Sequence, residues 1–374
     1  MSHRLRPIVL LAVPLSLIAP PEAPGQSLER VRVADDTQSF VLEPSGKSFR
    51  PVGFNYDHDG PGRLIEDYWH DEWPMVEADV REMKGLGANV VRVHLQFGRF
   101  MNAPDEPNPA QLDRLGDLLD LAERVGLYLD LTGLGCYHKQ DVPAWYDTLS
   151  EADRWAAQAA FWKAVAGRCA GRSVVFCYDL MNEPVVPGRE RDPGDWLGPG
   201  FGDKHFVQFI TLDPTDRPRP EVARSWIQTL TEAIRTVDAH TMITVGLVPW
   251  SLDRPGLSSG FVPEAIVEDL DFIAVHLYPE SGKVDEAIET LRGFQVGKPI
   301  VIEETFPLKA GPEDFERFLQ DAEPIASGFI GFYWGTTPEE LRPPKTIGEA
   351  LLLSWLDLFQ EHLAPLAEGS NPNP

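Results

Sequence analysis

The chain has 374 residues, of which 43% are hydrophobic and 24% charged, so its composition is that of a globular protein with a sizeable core. Asp and Glu number 58 against 33 Lys and Arg, which gives a formal net charge of −25. This acidic balance argues against nucleic acid and anionic membranes as partners. Both require a basic binding surface, whereas a neutral substrate is indifferent to the charge.

The N-terminal segment has the pattern of a secretory signal. Arg4 and Arg6 precede an apolar stretch over residues 8–19, and a small-residue segment ends at Ala23-Pro24-Gly25. We therefore expect a cleaved signal peptide over residues 1–26 and a secreted or periplasmic protein. The alternatives are a membrane anchor or a disordered tail, but the stretch is short for a bilayer span and no later run is long and apolar enough to cross one.

Three cysteines occur, Cys136, Cys169 and Cys177. An odd number without metal-type spacing indicates neither a zinc site nor a disulfide framework. A bridge between Cys169 and Cys177 after export and three buried free thiols are both compatible with the sequence.

Two short strand patterns follow, with a turn at residues 43–47, and predict a small β-hairpin over residues 31–33 and 40–42. From residue 49 the chain alternates short apolar runs with longer amphipathic segments, which is typical of a parallel sheet with crossover helices. Eight strands are predicted, over residues 49–55, 89–95, 127–132, 174–181, 242–247, 272–277, 299–304 and 329–334. Helices are predicted over residues 76–86, 111–125, 152–168, 222–237, 284–291, 313–319 and 347–358.

Glycine recurs where a predicted helix gives way to a strand, as at Gly126 and Gly297. Eight such units fit a closed (β/α)8 TIM barrel, because each parallel strand needs a right-handed crossover and the eighth strand can pair with the first. The rival architecture, an open doubly wound sheet, usually carries a glycine-rich phosphate loop after its first strand, and none occurs here. We predict one barrel domain over residues 27–365, followed by a flexible tail over residues 366–374.

One predicted connection, residues 185–220 after the fourth strand, is unusually long. It is rich in Gly, Pro and charged residues but also carries Trp196, Phe201, Phe206 and Phe209. So long a loop inside a compact domain is either functional or disordered, and its aromatic residues favour a packed lid.

The active site of such a barrel lies where the strands end, and polar residues cluster at those predicted ends. They are Asn55, Arg92, His94, Asn182, Glu183, His276, Tyr278, Glu303, Glu304 and Trp334. Glu183 and Glu304 close the fourth and seventh strands, which face each other across a barrel mouth. Two carboxyl groups about 5–5.5 Å apart can cleave a glycosidic bond with retention, one protonating the leaving oxygen and the other attacking the anomeric carbon.

The segment Tyr178-Asp179-Leu180-Met181-Asn182-Glu183-Pro184 resembles the Asn-Glu-Pro signature of glycoside hydrolase clan A, and of family 5 (cellulase family A) in particular. The resemblance covers nearly the whole chain after residue 30. It implies a retaining O-glycosyl hydrolase on a (β/α)8 barrel, with Glu183 as general acid/base. The reaction it implies needs no cofactor and no metal.

A second segment, residues 298–306, resembles the family's seventh-strand segment, in which the nucleophilic Glu follows a Lys-Pro-hydrophobic run. Two adjacent glutamates create an ambiguity, because successive strand side chains face opposite ways. The family's spacing from Pro299 favours Glu304 as the nucleophile, with Glu303 as the alternative. Glu303 is then expected on the outer face of the strand, in a helix-capping or loop-tethering salt bridge.

The resemblance also implies supporting residues on the second and fourth strands. Arg92 matches the second-strand Arg that orients the nucleophile, and Asn182 matches the residue that hydrogen-bonds the sugar 2-hydroxyl. Asn55 and His94 are added to this supporting set because they lie at the ends of the first and second predicted strands, not because of the resemblance.

On the sixth and eighth strands, His276 and Tyr278 match a pair in which the Tyr hydroxyl lies beside the nucleophile. Trp334 matches the ring that forms the floor under the cleaved sugar. The third strand departs from the family, since it ends in Asp130-Leu131-Thr132-Gly133 where many members carry a Trp-His pair. His138 could compensate, but a surface loop histidine is the simpler interpretation.

Aromatic side chains in the loops after the strands suit sugar binding, because the apolar face of a pyranose stacks on a ring. Five tryptophans fall in such places, and we expect about two of them to line the site while the others pack: Trp69, Trp73, Trp145, Trp196 and Trp250.

These observations favour hydrolysis of a neutral β-linked oligo- or polysaccharide, of the β-glucan or β-mannan type, by a protein expected to be monomeric. An exo-acting β-glycosidase or a transglycosylase on short oligosaccharides would use the same carboxylates. A non-catalytic carbohydrate-binding barrel would require a missing catalytic residue, and none is missing. A metal-dependent hydrolase would need clustered ligands, for which only His94 and His276 are candidates.

Overall fold

The computed structural model describes residues 28–57, 59, 61–254 and 256–367. The predicted signal peptide lies outside the described residues, as do residues 368–374 of the predicted tail. Leu366 and Ala367, the first two residues assigned to that tail, belong to the last helix instead. Within the described part of the chain, no helix is long and apolar enough to span a bilayer.

The strands of the described residues form one barrel and three small sheets. They are β1 Arg30–Val33, β2 Phe40–Glu43, β3 Ser48–Phe49, β4 Val52–Tyr56, β5 Val90–Gln96, β6 Met101–Ala103, β7 Glu106–Pro107, β8 Tyr128–Gly135, β9 Val175–Asn182, β10 Pro184–Val185, β11 Gln208–Phe209, β12 Met242–Leu247, β13 Ile273–His276, β14 Ile300–Glu304 and β15 Gly328–Gly331. Eight of them close into a parallel barrel in the order β12-β13-β14-β15-β4-β5-β8-β9. They correspond to the eight predicted strands, so the predicted (β/α)8 barrel is confirmed.

The inward face of β5 shows how the barrel positions polar side chains. Val90 belongs to the cluster inside the barrel, whereas Val91 and Val93 pack in the layer between the strands and the helices. Because strand side chains alternate, Arg92 and His94 share the inward face with Val90, two and four residues closer to the C-terminal end. The barrel interior is therefore apolar at the bottom and polar at the mouth.

The N-terminal hairpin closes the bottom of the barrel. Strands β1, β2 and β3 form an antiparallel sheet, and the ring of Phe40 lies 5.4 Å from that of Phe176 and 5.5 Å from that of Phe272, both near the N-terminal ends of barrel strands. Phe49 belongs to β3, not to the first barrel strand as predicted. The chain leaves the sheet at Pro51, which has no N–H to donate, and β4 begins at Val52.

The helices surround the barrel and agree with the predicted ones to within a few residues. They are α1 Ile65–Tyr68, α2 Trp73–Gly85, α3 Phe97–Phe100, α4 Pro109–Val125, α5 Ala144–Asp147, α6 Glu151–Cys169, α7 Arg219–Arg235, α8 Pro263–Ile266, α9 Val284–Arg292, α10 Pro312–Ala322, α11 Pro338–Leu341, α12 Ile347–Leu358 and α13 Ala364–Ala367. The start of α4 is capped by Asn108, whose Oδ1 accepts a hydrogen bond from the Ala110 N–H at 3.1 Å. Its end is capped by Gly126 at φ 78°, the left-handed conformation that the sequence predicts there.

The three cysteines are free thiols, and all are buried in the barrel or against its helices. Of the two possibilities left by the sequence, the structure therefore has free thiols and no Cys169–Cys177 bridge.

Candidate active site

Arg92 lies at the centre of the barrel mouth and is fully buried. Its Nη1 donates to Glu304 Oε1 at 2.6 Å and to Asn55 Oδ1 at 2.8 Å. Its Nη2 donates to Asp179 Oδ2 at 2.7 Å and to Asn182 Oδ1 at 3.0 Å. One guanidinium thus fixes four residues from three strands, which its rigid planar fork allows.

Glu304 ends β14 and is held on both carboxylate oxygens. Oε1 accepts from Arg92, and Oε2 accepts from the Tyr278 hydroxyl at 2.7 Å. The side chain is almost buried, with 7% of its surface exposed. Because a directional donor holds each oxygen, the carboxylate keeps one orientation, facing the mouth.

Glu183 follows directly after β9 and lies across the mouth from Glu304. Its φ of 47° is in the left-handed region, which costs a non-glycine residue roughly 1–2 kcal/mol. One carboxylate oxygen of Glu183, one of Glu304 and a ring nitrogen of His276 all lie within 4.8 Å of one another. Backbone strain of this kind persists where the surrounding structure holds it, commonly at functional sites.

His276 joins the two glutamates to the barrel interior. Its Nδ1 is hydrogen-bonded to Glu183 Oε1 at 3.1 Å and lies 3.5 Å from Glu304 Oε2, while Nε2 lies 3.3 Å from Glu303 Oε2. Burial lowers the pKa of His276, but attraction to Glu304 and the hydrogen bonds to Glu183 and Glu303 outweigh burial and raise that pKa to about 10. The ring is therefore an imidazolium at neutral pH, with a donor on each side.

Glu303 points into the barrel, so its expected place on the outer face is wrong. It is fully buried, 3.4 Å from Arg92 and hydrogen-bonded to His276. Strict alternation fails because the register between β13 and β14 shifts next to His276, where His276 pairs with Glu304. Adjacent glutamates can then occupy the interior and the mouth.

A second buried acid, Asp130 on β8, contacts Glu303 from below the mouth. Burial raises the pKa of Asp130 well above its usual value, and the Glu303 carboxylate raises it further. Burial acts to raise the pKa of Glu303 as well, but Arg92 and His276 outweigh it and hold that pKa below its usual value. These opposite pKa shifts favour a proton on Asp130 and a negative charge on Glu303.

Asn55 and His94 lie beneath the two glutamates. Asn55 Nδ2 donates to the backbone oxygens of Glu303 at 2.9 Å and of Gly331 at 3.2 Å. His94 Nε2 lies 3.0 Å from Asn55 Oδ1, and His94 Nδ1 is hydrogen-bonded to the Tyr137 hydroxyl at 2.5 Å. The structure thus brings both residues to the mouth, where they support the Arg92 network.

Trp334 is not among the residues that line the cleft. Its side chain is packed against Tyr56, with ring centroids 5.8 Å apart, and only 3% of the residue is exposed. The expectation came from the match to the family's eighth-strand Trp, but β15 ends at Gly331, so Trp334 lies three residues beyond the strand. Phe332 and Tyr333 face the cleft in its place.

The structure also differs from the expectations for the loop tryptophans and for His138. Trp69 and Trp196 are buried in the core, and none of the five loop tryptophans lines the cleft. His138 is not a surface residue but is buried, with Nδ1 3.9 Å from Asp203 Oδ2.

A cleft of about 500 Å³ opens above the two glutamates. Its lining is largely aromatic and combines the long β9–α7 connection with the ends of β13, β14 and β15: Glu183, Pro199, Phe201, Gly202, Lys204, Phe206, Val207, Tyr278, Glu304, Phe306, Leu308, Phe332 and Tyr333. Sequence reasoning missed Lys204, Phe332 and Tyr333. Three consecutive aromatic residues, Phe332-Tyr333-Trp334, were candidates for the ring that lines the cleft. Only the structure shows that Phe332 and Tyr333 line it and Trp334 does not.

Glu183, His276 and Glu304 also form the one group of potential metal ligands found among the described residues. Each donor already has a protein partner within hydrogen-bonding distance, since Glu304 is held by Arg92 and Tyr278 and His276 bridges Glu183 and Glu303. These donor atoms are thus already engaged within the protein.

Comparison with known proteins identifies the family and the fold of the chain. The family described as "Cellulase (glycosyl hydrolase family 5)" matches residues 43–305, which is well over half of the chain and spans the strands from β4 to β14. A probable mannan endo-1,4-β-mannosidase A from Aspergillus clavatus is 25% identical over 224 residues, 54% of this chain and 52% of that protein. The chain thus spans about half the length of this relative.

Solved structures share the fold at low sequence identity. The exo-β-1,4-mannosidase Op5Man5 from Opitutaceae bacterium strain TAV5 has a TM-score of 0.66 and 18% identity, over 90% of this chain and 62% of that one. The β-mannanase from the blue mussel Mytilus edulis has a TM-score of 0.59 and 16% identity, over 89% of this chain and 97% of that one. With the family match over residues 43–305, the chain belongs to glycosyl hydrolase family 5, the cellulase family of O-glycosyl hydrolases.

Proposed function

We propose that the protein hydrolyses β-linked glycosides with retention, with Glu183 as general acid/base and Glu304 as nucleophile. The observation that carries the proposal is the pair of carboxylates at the mouth, whose nearest oxygens lie within 4.8 Å of each other. Retaining enzymes hold their two carboxyl groups about 5–5.5 Å apart, whereas inverting enzymes need about 6.5–9.5 Å to admit a water molecule.

The surroundings of the two glutamates support different roles. Glu304 is held by Arg92 and Tyr278 and is almost buried, as suits a nucleophile that must keep one orientation. The side chain of Glu183 has one hydrogen-bond partner among the described residues, His276, and is more exposed, at 16%. It can reach a leaving oxygen in the cleft and later a water molecule.

The proposed reaction has two steps. Glu304 attacks the anomeric carbon while Glu183 gives its proton to the glycosidic oxygen, so the leaving sugar departs as an alcohol and a glycosyl ester forms on Glu304. Glu183 then takes a proton from water, and the water oxygen attacks the same carbon and releases Glu304. The His276 imidazolium, within 3.5 Å of both glutamates, stabilises the negative charge that moves between them.

We infer a neutral β-mannan-type substrate, with β-glucan as the alternative. The names of the relatives support mannan, since one is a mannan endo-1,4-β-mannosidase and others are a mannosidase and a mannanase. Aromatic rings in the cleft, such as Phe206 and Phe332, offer stacking surfaces for sugar rings. A net charge of −25 is compatible with an uncharged polysaccharide.

We also propose that the mature protein acts outside the cytoplasm. The support is the signal-like segment over residues 1–26. Export by a bacterial host followed by N-terminal sequencing tests this, with a mature start near residue 27 expected. An intact N-terminus on the exported protein would contradict it.

The nucleophile can be identified by trapping. A 2-deoxy-2-fluoro glycosyl fluoride of the preferred sugar should form a stable ester, and mass spectrometry of peptides should locate it on Glu304. The control is Glu303→Gln, which keeps the nucleophile and should still be labelled, whereas Glu304→Gln should not. An ester on Glu303, or no ester with any sugar that the native protein hydrolyses, would overturn the proposed roles.

A further inference from the structure

The long connection between β9 and α7 carries a fixed wall above the barrel mouth, defined here as residues 196–210. The Trp196 Nε1 donates to the Asp147 backbone oxygen at 3.1 Å, and the buried Gln208 Nε2 donates to that of Leu134 at 2.8 Å. Strands β10 and β11 pair in parallel where the wall rejoins the barrel. These contacts join the wall to the loops after β8 and to the barrel itself.

Phe206 lies where the wall crosses the barrel mouth. Its ring lies 5.0 Å from Tyr137, after β8, and 6.2 Å from Phe332, after β15. Its backbone oxygen accepts a hydrogen bond from Asn182 Nδ2 at 3.1 Å. Next to it, the His205 N–H donates to the Tyr137 backbone oxygen at 2.9 Å. The wall therefore spans from one side of the barrel to the other, directly beside the catalytic residues.

Lys204 is the lysine that the wall contributes to the cleft. The residue is only 7% exposed and lines the cleft, and its Nζ has one hydrogen bond among the described residues, to Asp203 at 3.4 Å. A Cβ on Gly62, after β4, would lie 3.4 Å from this Nζ, so the wall also reaches that loop. A nearly buried ammonium with so weak a partner is a donor ready for ligand hydroxyl groups.

The opposite side of the catalytic pair is open. Glu183 and Glu304 divide the barrel into two arcs, one with β12 and β13 and the other with β15, β4, β5 and β8. The wall contacts the loops of the second arc. Above the first arc lies a groove of about 480 Å³ that shares Tyr278 with the cleft and continues over Pro249 and Glu280.

The sugar that Glu304 attacks belongs on the closed side. The polar floor of Asn55, His94 and Arg92 lies on the second arc, where it can hold one sugar's hydroxyl groups next to Glu304. Glu183 protonates the leaving oxygen, so the leaving chain extends toward the first arc and its open groove. On the closed side the wall crosses the mouth at Phe206, between Tyr137 and Phe332, and so lies in the path of sugars beyond the one that is cleaved.

We infer that the protein acts on chain ends, releasing one sugar at a time from the non-reducing end of short β-linked oligosaccharides, with Lys204 as a residue that binds the terminal sugar. This inference rests on the proposed function. It adds two roles for the wall. Phe206 determines which glycosidic bond is cleaved, and Lys204 contributes to the affinity for the terminal sugar.

The test uses the full-length native protein and a β-1,4-linked mannohexaose reduced at its reducing end to an alditol. The earliest products should be free mannose and the pentasaccharide alditol. Early appearance of shorter alditols would overturn end-wise action while leaving the proposed hydrolase intact. Absence of cleavage on mannan, glucan and aryl glycosides alike would instead contradict the proposed function.

Two variants test the residues of the wall. Lys204→Met should raise KM for the oligosaccharide about tenfold with little change in kcat, because a charged hydrogen bond to the terminal sugar is lost. Its control is Lys47→Met, an exposed lysine on the hairpin at the far end of the barrel, which should leave KM unchanged. An unchanged KM in Lys204→Met would refute the assignment.

Phe206→Ala should open the wall and let internal bonds reach the site, so shorter alditols should appear among its first products. The control is Phe209→Ala on the same connection, whose ring lies on Arg191 and does not line the cleft. It should keep the single-sugar pattern. Equal product patterns in the two variants would remove Phe206 from its proposed role.

Discussion

His276 has a raised pKa, which links the stability of the folded protein to pH. Its folded-state pKa of about 10 lies above the ordinary value of 6.5, because Glu304, Glu183 and Glu303 together outweigh the effect of burial. A raised pKa means that the folded protein binds this proton more tightly than the unfolded chain. The resulting stabilisation is fully present below pH 6.5 and is lost as the pH rises through 10.

The first prediction follows from this linkage. Between pH 6.5 and 10 the free energy of unfolding of the native protein should fall with pH more steeply than that of His276→Asn, by up to about 1.4 kcal/mol per pH unit. Urea denaturation of both proteins across this range measures the difference. Parallel pH profiles would show that His276 does not carry the proton.

The second prediction concerns the buried acid pair. Asp130→Asn keeps a neutral donor toward Glu303 and should change the free energy of unfolding by less than about 1 kcal/mol. Asp130→Ala leaves the buried Glu303 with one partner fewer and should cost about 1–3 kcal/mol. Chemical denaturation of the two variants at pH 7 is the measurement. Equal losses of unfolding free energy in the two variants would mean that Asp130 contributes by packing and not by a hydrogen bond to Glu303.

At the scale of elements, the N-terminal hairpin acts as the floor of the barrel. Phe40 is fully buried among Phe176 and Phe272, at the opposite end from Glu183 and Glu304. Phe40→Ala should therefore lower the free energy of unfolding by about 3–5 kcal/mol and leave kcat of the folded protein unchanged. Phe40→Leu, which fills most of the space, is the control. A large loss of kcat in the folded variant would contradict this separation of the N-terminal hairpin from the active site.

The same elements show what the sequence could predict. Strands such as β5 are buried on both faces and have β-branched residues and flanking glycines, so their existence and order follow from local patterns. The ends of strands do not follow from alternation. A register shift turned Glu303 inward, and the end of β15 at Gly331 removed Trp334 from the mouth. Both errors arise where the ladder of backbone hydrogen bonds stops fixing side-chain direction.

At the scale of the whole molecule, the candidate site depends on long-range contacts that no local pattern specifies. The resemblance placed Arg92 beside Glu304, but it did not include the acid beneath them, Asp130. Nor could it show where residues 196–210 cross the mouth, because that path is set by contacts with residues more than 60 positions away along the chain, such as Gln208 with Leu134. A family pattern records the residues that meet the substrate, and the supporting packing has to come from the structure.

The roles of Glu183 and Glu304 can be tested by comparing two variants on an activated aryl β-glycoside of the preferred sugar, with azide added. Glu183→Ala keeps the nucleophile, so the glycosyl-enzyme should accumulate on Glu304 and azide should release it as the β-glycosyl azide, since azide needs no general base. Glu304→Ala has no nucleophile, so azide should attack from the vacated side and give the α-glycosyl azide. Azide products of one and the same anomeric configuration from both variants, or undiminished hydrolysis by either one, would contradict the assignment of Glu183 and Glu304.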